Sequence, residues 1–388
     1  MRKHVIVSAL SHDQVNSGVS RISAMVGEES LWFETADTDL VLSPEAFASA
    51  LLVPAMSHGL DLVFEDSLSN VWLDNSRKLI ELFSQWWGWT PITITSLSKE
   101  TVQRGVSHGR ALCFSGGVDS FFSLLTYPEP IDKLVLVQGY DIDVNDNEGA
   151  QYAFDHLSQV AVDRGIQAVM VKTNFREHSV SGKKYKHAFG GALAAIGHML
   201  SDTSELIISA SYSYEDAVPY GSHWKSDHLY SSEAMSFVHY GAELHRNQKI
   251  QQIAKTPIFR KHMRVCQNNL KGLFHLSDKA INCGVCQKCI QTLLVLQQEG
   301  SIEDLEIFKN RTNFAQYIYQ HPGTVEYYLE VYEEILRRGV DKQLELSIRA
   351  LIRRSKIMRK FDWSGRRGRK LVFPFLKVFD SIEKKLVR

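Results

Sequence analysis

The chain of 388 residues lacks any apolar run approaching the roughly 18 residues that a membrane-spanning helix needs. Its opening, Met1-Arg2-Lys3-His4-Val5-Ile6-Val7, has too short an apolar core for a secretory leader. Net charge is missing too. The 44 basic residues balance the 44 acidic ones, so bulk charge points to neither nucleic acid nor an anionic membrane. Internal repeats and low-complexity tracts are absent, and there are only five cysteines. What is left is ordinary for a globular protein: 44% hydrophobic and 23% charged residues, enough to bury a sizeable core. A cytoplasmic protein is expected, built as several domains or as one large domain with additions.

One short run carries more chemistry than the rest. Ser115-Gly116-Gly117-Val118-Asp119-Ser120 follows the apolar stretch Ala111-Leu112-Cys113-Phe114. This reads as a buried strand, a glycine-rich turn, and a helix starting near Asp119 or Ser120. Such a corner aims backbone N–H groups and a helix N-terminus at one point, which suits phosphate or pyrophosphate. The glycines allow a tight turn and close anion approach. Ser115 and Ser120 add hydroxyl donors, and Asp119 can hold Mg²⁺. A Walker A loop is excluded, because the Gly-Lys-Ser/Thr ending is missing. A plain strand–turn–helix corner is the alternative.

Four of the cysteines fall at Cys266, Cys283, Cys286 and Cys289, the last three as C-x-x-C-x-x-C. In a cytosolic protein, thiols at this spacing read as metal ligands more readily than as disulfides. Four thiolates suit tetrahedral Zn²⁺. An iron–sulfur cluster uses similar spacing, and unbonded structural cysteines are the third reading. Cys113 reads as a small buried hydrophobe.

Five regions follow along the chain. Residues 1–105 read as a small α+β accessory domain. It carries Trp32, Trp72, Trp86, Trp87 and Trp89, which serve either as core or as a substrate lid or partner platform. In residues 106–262 strands alternate with helices: Ala111–Phe114, Lys133–Gln138, Ala168–Lys172 and Glu205–Ser209 against Asp119–Thr126, Glu148–Arg164 and His187–Ser201. That pattern predicts βαβ units and a parallel sheet, with ligands beyond the carboxyl ends of its strands. Residues 263–300 form the cysteine segment, 301–352 read as helical, and 353–388 form a basic tail with 13 Lys+Arg against 3 Asp+Glu. Phe361, Trp363, Phe373, Phe375 and Phe379 interleave with those charges, which suits RNA, an anionic surface or a partner groove as well as a solvated tail.

A polar loop follows the fourth predicted strand, from Ser209 to Glu233. Tyr212, Ser222, His223 and Asp227 are its candidate substrate contacts, since rings stack on a planar heterocycle while hydroxyl, imidazole and carboxylate groups bond its edges. Gly139, at the end of the second strand, is a candidate nucleotide contact, and Asp141 and Asp143 suit either helix capping or ATP. Lys172 and Arg176 can neutralise a phosphate or a carboxylate. His187 opens a helix whose Gly190, Gly191, Ala192, Ala194 and Ala195 permit close approach of sheet or ligand. Glu243 and Arg246 read as an i,i+3 pair.

Ser-Gly-Gly-Val-Asp-Ser after a hydrophobic strand resembles the PP-loop of the ATP pyrophosphatase superfamily. With Cys266, Cys283, Cys286 and Cys289 behind it, residues 108–300 resemble the 7-cyano-7-deazaguanine synthase (QueC-like) family. The resemblance implies a Rossmann-like (HUP-type) doubly wound sheet with a zinc-binding segment. It also implies ATP on Ser115, Gly116, Gly117, Val118, Asp119 and Ser120, with Asp119, Ser115 and Ser120 in catalytic roles. The implied reaction adenylates a small-molecule carboxylate such as 7-carboxy-7-deazaguanine, and ammonia or an amine then displaces AMP to give an amide or nitrile. The chain departs from the housekeeping enzymes in its N- and C-terminal additions, in Val118 where those enzymes often carry Gln, and in its Tyr212–Ser232 loop. Those departures keep three other readings open: a tRNA-modifying enzyme, a ligase that joins the acid to a protein amine, and a non-catalytic nucleotide-binding adaptor. The expected partners are the acid, the amine, a protein or RNA acceptor at the basic tail, and a second copy of the chain.

Overall fold

The computed structural model describes residues 3–16, 18–98, 108–182, 184–266, 280–300, 302, 305–309, 318 and 329–360. Two compact units divide the chain, Met1–Lys249 and Ile250–Arg388.

The first unit is α/β and holds one ten-stranded sheet. Its elements run in the order β1 (His4–Asn16), β2 (Val19–Val26), β3 (Glu29–Thr35), α1 (Pro44–His58), β4 (Asp61–Phe64), α2 (Asn70–Trp87), β5 (Ile94–Ser96), β6 (Gly109–Cys113), α3 (Val118–Thr126), β7 (Lys133–Gln138), α4 (Asn147–Arg164), β8 (Gln167–Thr173), α5 (Tyr185–Met199), β9 (Thr203–Ser209), a 3₁₀ turn (Asp227–Tyr230) and β10 (Ser236–Tyr240). Across the sheet the order is β10-β9-β6-β7-β8-β3-β2-β1-β4-β5. Strands β6 to β10 are mutually parallel. The chain winds from β6 outward through β7 and β8, then places β9 and β10 on the other side of β6. The loops after β6 and β9 therefore part from each other at the carboxyl edge, where open α/β sheets carry their ligand crevice.

Antiparallel pairing of β3 with β8, Phe33 with Thr173 and Glu34 with Lys172, joins the N-terminal strands to this sheet. The boundary expected at residue 105 thus falls inside one unit. Burial explains the strand types. Lys-Leu-Val-Leu-Val-Gln of β7 is buried along its whole length, as a central parallel strand must be, whereas β2 alternates half-buried and buried residues. Helix α1 starts with Pro44 in its first turn and ends on Gly59 in the left-handed region, so both ends match its sequence.

Small residues on α5 let two other segments approach. A Cβ on Gly191 would lie 2.3 Å from the Ser49 carbonyl oxygen of α1, and one on Gly190 would lie 2.1 Å from the Gly221 carbonyl oxygen. Gly190 N–H donates to that same oxygen at 3.0 Å. Helix α1 and the loop after β9 thus account for the glycines.

The described part of the second unit includes α7 (Pro257–His262), α8 (Gln287–Gln298) and two further helices, Leu329–Arg338 and Lys342–Lys360. Helix α6 (Arg246–Ile253) runs across the division between the units. Gln298 Nε2 donates to the Ile335 carbonyl at 3.0 Å, and Arg338 bonds Glu299 at 2.7 Å. Most of residues 301–328, and the tail from 361 to 388, lie outside the described residues. Among the described residues, no helix is long and apolar enough to cross a membrane.

Candidate functional site

The turn after β6 closes around its own hydroxyls. Gly116 sits at φ 73°, a conformation open to glycine at no steric penalty. Gly117 caps α3 in extended backbone, and its N–H donates to Ser115 Oγ at 3.3 Å. Ser115 Oγ and Ser120 Oγ are 3.4 Å apart, and Ser120 Oγ donates to the Gly117 carbonyl at 3.1 Å. The Val118 side chain is fully buried, so this residue can offer a ligand only its backbone. The first-turn N–H groups of α3 have no acceptor within the helix, and their dipole favours an anion.

Asp119 is charge-compensated by residues far along the chain. Arg246 Nη1 donates to Asp119 Oδ2 at 2.6 Å, and Lys249 Nζ lies 3.4 Å from Oδ1. Lys249 Nζ also donates to the Ala210 carbonyl at 2.6 Å, which ties the loop after β9 to the loop after β6. Burial lowers the Lys249 ammonium from its usual range, with the Asp119 carboxylate opposing the shift. Glu243 adds a second, exposed carboxylate that acts on Lys249. Arg246 Nε is buried and has no hydrogen-bond partner. A buried, unmatched donor is uncommon in a native structure. The expected Glu243–Arg246 pair gives way to this contact, which spans 127 residues of sequence.

The polar loop after β9 is packed around Asp227, whereas Tyr214, Glu215 and Asp216 are exposed. Asp227 is fully buried, and four donors converge on its oxygens: Ser222 Oγ at 2.6 Å, His223 N–H at 3.0 Å, Ser226 Oγ at 3.2 Å and His239 Nδ1 at 2.7 Å. The His223 ring meets Trp86 edge-on at 4.8 Å, and His187 meets Trp87 at 4.7 Å. Trp86 and Trp87 touch each other, so α2 supplies one aromatic wall to both histidines. Trp72, by contrast, is core, with its Nε1 donating to Ser49 Oγ at 2.9 Å. Burial pushes the His223 imidazole down to about 4, with His239 adding to the shift. Burial also lowers His187, helped by Lys184 and Lys186. Tyr212 packs on Tyr220, which packs on Phe189 of α5.

Several other candidates have local partners. Lys172 Nζ donates to Asn147 Oδ1 at 3.0 Å, and Arg176 Nη1 donates to the Tyr140 carbonyl at 2.7 Å. Gly139 sits at φ 101°, where a Cβ would lie 1.9 Å from the Thr173 carbonyl oxygen, so close strand packing already requires a glycine there. Helix α4 is capped by Asp146, whose Oδ1 accepts from Gly149 N–H at 2.9 Å. Asp143 Oδ1 accepts from Asn145 N–H at 2.9 Å. Burial first, then the Asp227 charge, pushes the Cys113 thiol up to about 12, so it is no nucleophile at neutral pH.

In the second unit the four cysteines come together. The Sγ atoms of Cys266, Cys283, Cys286 and Cys289 all lie within 4.8 Å of one another, and those of Cys283 and Cys289 are 3.9 Å apart. Tetrahedral zinc with Zn–S bonds of about 2.3 Å needs sulfurs about 3.8 Å apart, so the set can hold one metal ion such as zinc. Asn282 brings the distant ligand into place. Its Oδ1 accepts from Val265 N–H at 2.8 Å and Cys266 N–H at 3.2 Å, and its Nδ2 donates to the Met263 carbonyl at 2.9 Å. Cys286 N–H donates to Cys283 Sγ at 3.3 Å, a contact that favours a thiolate. Donation from Cys283, then from Cys286 and Cys289, holds Cys266 well below the ordinary thiol range.

Comparison of the chain with family models, curated proteins and solved structures returned no match.

Proposed function

We propose that the protein is an AMP-forming enzyme of the ATP pyrophosphatase kind, with a Rossmann-like HUP-type core. It activates a carboxylate as an acyl-adenylate and passes the acyl group to ammonia or an amine. The observation that carries this reading is the glycine turn at the strand-order reversal, flanked by Arg246 with its unmatched buried Nε. The N–H groups of the first turn of α3 would hold the phosphates, with Ser115 and Ser120 adding donors. Arg246 and Lys249 would balance charge on departing pyrophosphate, which is where catalysis of such transfers mostly arises. Magnesium carried in by the nucleotide would take Asp119 as its protein carboxylate and neutralise phosphate charge. In this structure both oxygens of that carboxylate face cations.

A 7-carboxy-7-deazaguanine-like acid suits the wall of Trp86 and Trp87 beside His187 and His223, because a planar bicycle stacks on aromatic faces. Zinc in the cysteine cluster is structural, since four thiolates leave no open coordination position. Cys113, protonated at neutral pH, argues against a thiolating tRNA enzyme.

The test is acid-dependent release of pyrophosphate and AMP from ATP, with 7-carboxy-7-deazaguanine as the probe acid. Wild type is expected to form AMP, and Asp119→Ala to lose about 100-fold or more. ADP as the product overturns the reading, and a requirement for tRNA favours the tRNA alternative. Metal analysis is expected to return about one zinc per chain, and visible absorbance of an iron–sulfur cluster contradicts the zinc assignment.

A further inference from the structure

We propose that His239, held by Asp227, is the general base that takes the proton from the attacking amine. This step rests on the adenylation reading. Asp227 makes the argument. It is fully buried, accepts from Ser222 Oγ, Ser226 Oγ and the His223 N–H, and meets His239 Nδ1 at the Oδ2 it shares with Ser222; a carboxylate can only accept. That arrangement assigns the imidazole proton to Nδ1 and leaves the lone pair on Nε2. Among the described residues, Nε2 of His239 meets no hydrogen-bond partner. A buried carboxylate that fixes the tautomer and ring direction of a histidine with one open nitrogen is the arrangement of a base awaiting a proton.

Register puts this histidine two strands from the end of β6, in line with Cys113. His239 on β10 stands opposite Ile208 on β9, and Leu112 on β6 stands opposite Ile207. Cys113 therefore flanks Ile208 on the same face, two strands or about 10 Å from His239, and Ser115 follows two residues later. The next residue along β10, Tyr240, accepts at its carbonyl from Ala210 N–H at 2.8 Å. Ala210 is the residue whose carbonyl receives Lys249, the partner of Asp119. Backbone contacts thus link the residue after His239 to the loop that receives Lys249. His223, whose backbone N–H also bonds Asp227, adds its ring to the Trp86 wall on the same loop.

The step balances without an added reagent. The amine lone pair forms the new bond to the acyl carbon of the adenylate. The amine proton passes to His239 Nε2. The bond from the acyl carbon to the phosphate oxygen breaks, and AMP leaves with that electron pair. The protonated imidazole is stabilised by Asp227 and later returns its proton to water.

The experiment separates the two half-reactions. Exchange of labelled pyrophosphate into ATP, driven by 7-carboxy-7-deazaguanine, reports adenylation; amide formed with ammonia reports transfer. In His239→Gln the ratio of amide formation to exchange is expected to fall about 100-fold or more. Asp227→Asn, which keeps the shape and releases the tautomer, is expected to do the same. In His239→Ala, added imidazole is expected to restore part of the amide rate. Equal loss of exchange and amide, or an unchanged ratio, or no rescue by imidazole overturns the assignment. If wild type shows no exchange, the adenylation reading fails and this step falls with it.

Discussion

Asp119 and Asp227 both lie beyond the carboxyl ends of parallel strands in the same unit, and they are held in opposite ways. Asp119 keeps a side-chain exposure of 19% and is matched by two cations, Arg246 and Lys249. Asp227 has no exposure and is matched by hydroxyl, backbone and imidazole donors. The first arrangement is ionic, partly exposed and includes one unmatched donor, Arg246 Nε. The second has its acceptor capacity committed to fixing a loop and one histidine, which is what a buried carboxylate needs to persist. One aspartate therefore sits in a partly open ionic contact; the other holds a packed loop and one histidine in place.

The largest effect expected from breaking this contrast is on stability at Asp227. Asp227→Ala strands four donors, and about 4 kcal/mol of loss is expected, seen as a fall in Tm on the order of 10 °C by calorimetry. Arg246→Ala is expected to do the reverse. Acid-dependent AMP formation should drop about 100-fold, roughly 2.7 kcal/mol in the barrier, while Tm moves by only a few degrees. If Arg246→Ala unfolds the protein as strongly as Asp227→Ala does, the contrast between the two aspartates is lost.

Gly139→Ala tests backbone packing at the end of β7. A Cβ there meets the Thr173 carbonyl in a backbone conformation unfavourable to alanine, so about 2 kcal/mol of destabilisation is expected in urea titrations. A further effect is on pH dependence. His223 binds its proton near pH 4 in the folded chain, against 6.5 for the free group. The unfolded chain therefore takes up the proton first, and stability present above pH 6.5 drains away as pH falls toward about 4. His223→Asn should flatten that slope in acid unfolding curves.

Local chemistry was the legible part of this molecule. Strand β7 begins and ends at Lys133 and Gln138 as the sequence predicts, because a short apolar run rich in valine and bounded by polar residues favours a buried strand. Helix α3 and the turn before it followed from two glycines and the apolar residues on either side. The thiol set followed from spacing alone, although Asn282, which carries Cys266 to its partners, has no signature in spacing. Strand β10 went unread, because Ser-Phe-Val-His-Tyr is short and mixes polar with apolar residues. Joining of the N-terminal strands to the main sheet rests on a β3–β8 edge pairing that no local pattern encodes. Arg246 and Lys249 were hidden for a similar reason: their partner lies well over a hundred residues away, and a nearer acid offered a simpler pairing. His239 had no motif at all, and only the register across β9 brings it toward the turn.

The most direct measurement is a crystal structure of the full chain soaked with a non-hydrolysable ATP analogue blocked between the α- and β-phosphates. Phosphate oxygens within hydrogen-bond reach of the N–H groups of Gly117 to Ser120, with Arg246 Nε now bonded to one of them, is the result predicted. A bound nucleotide lying elsewhere, or a turn that stays empty while Arg246 and Lys249 remain on Asp119, would contradict the account.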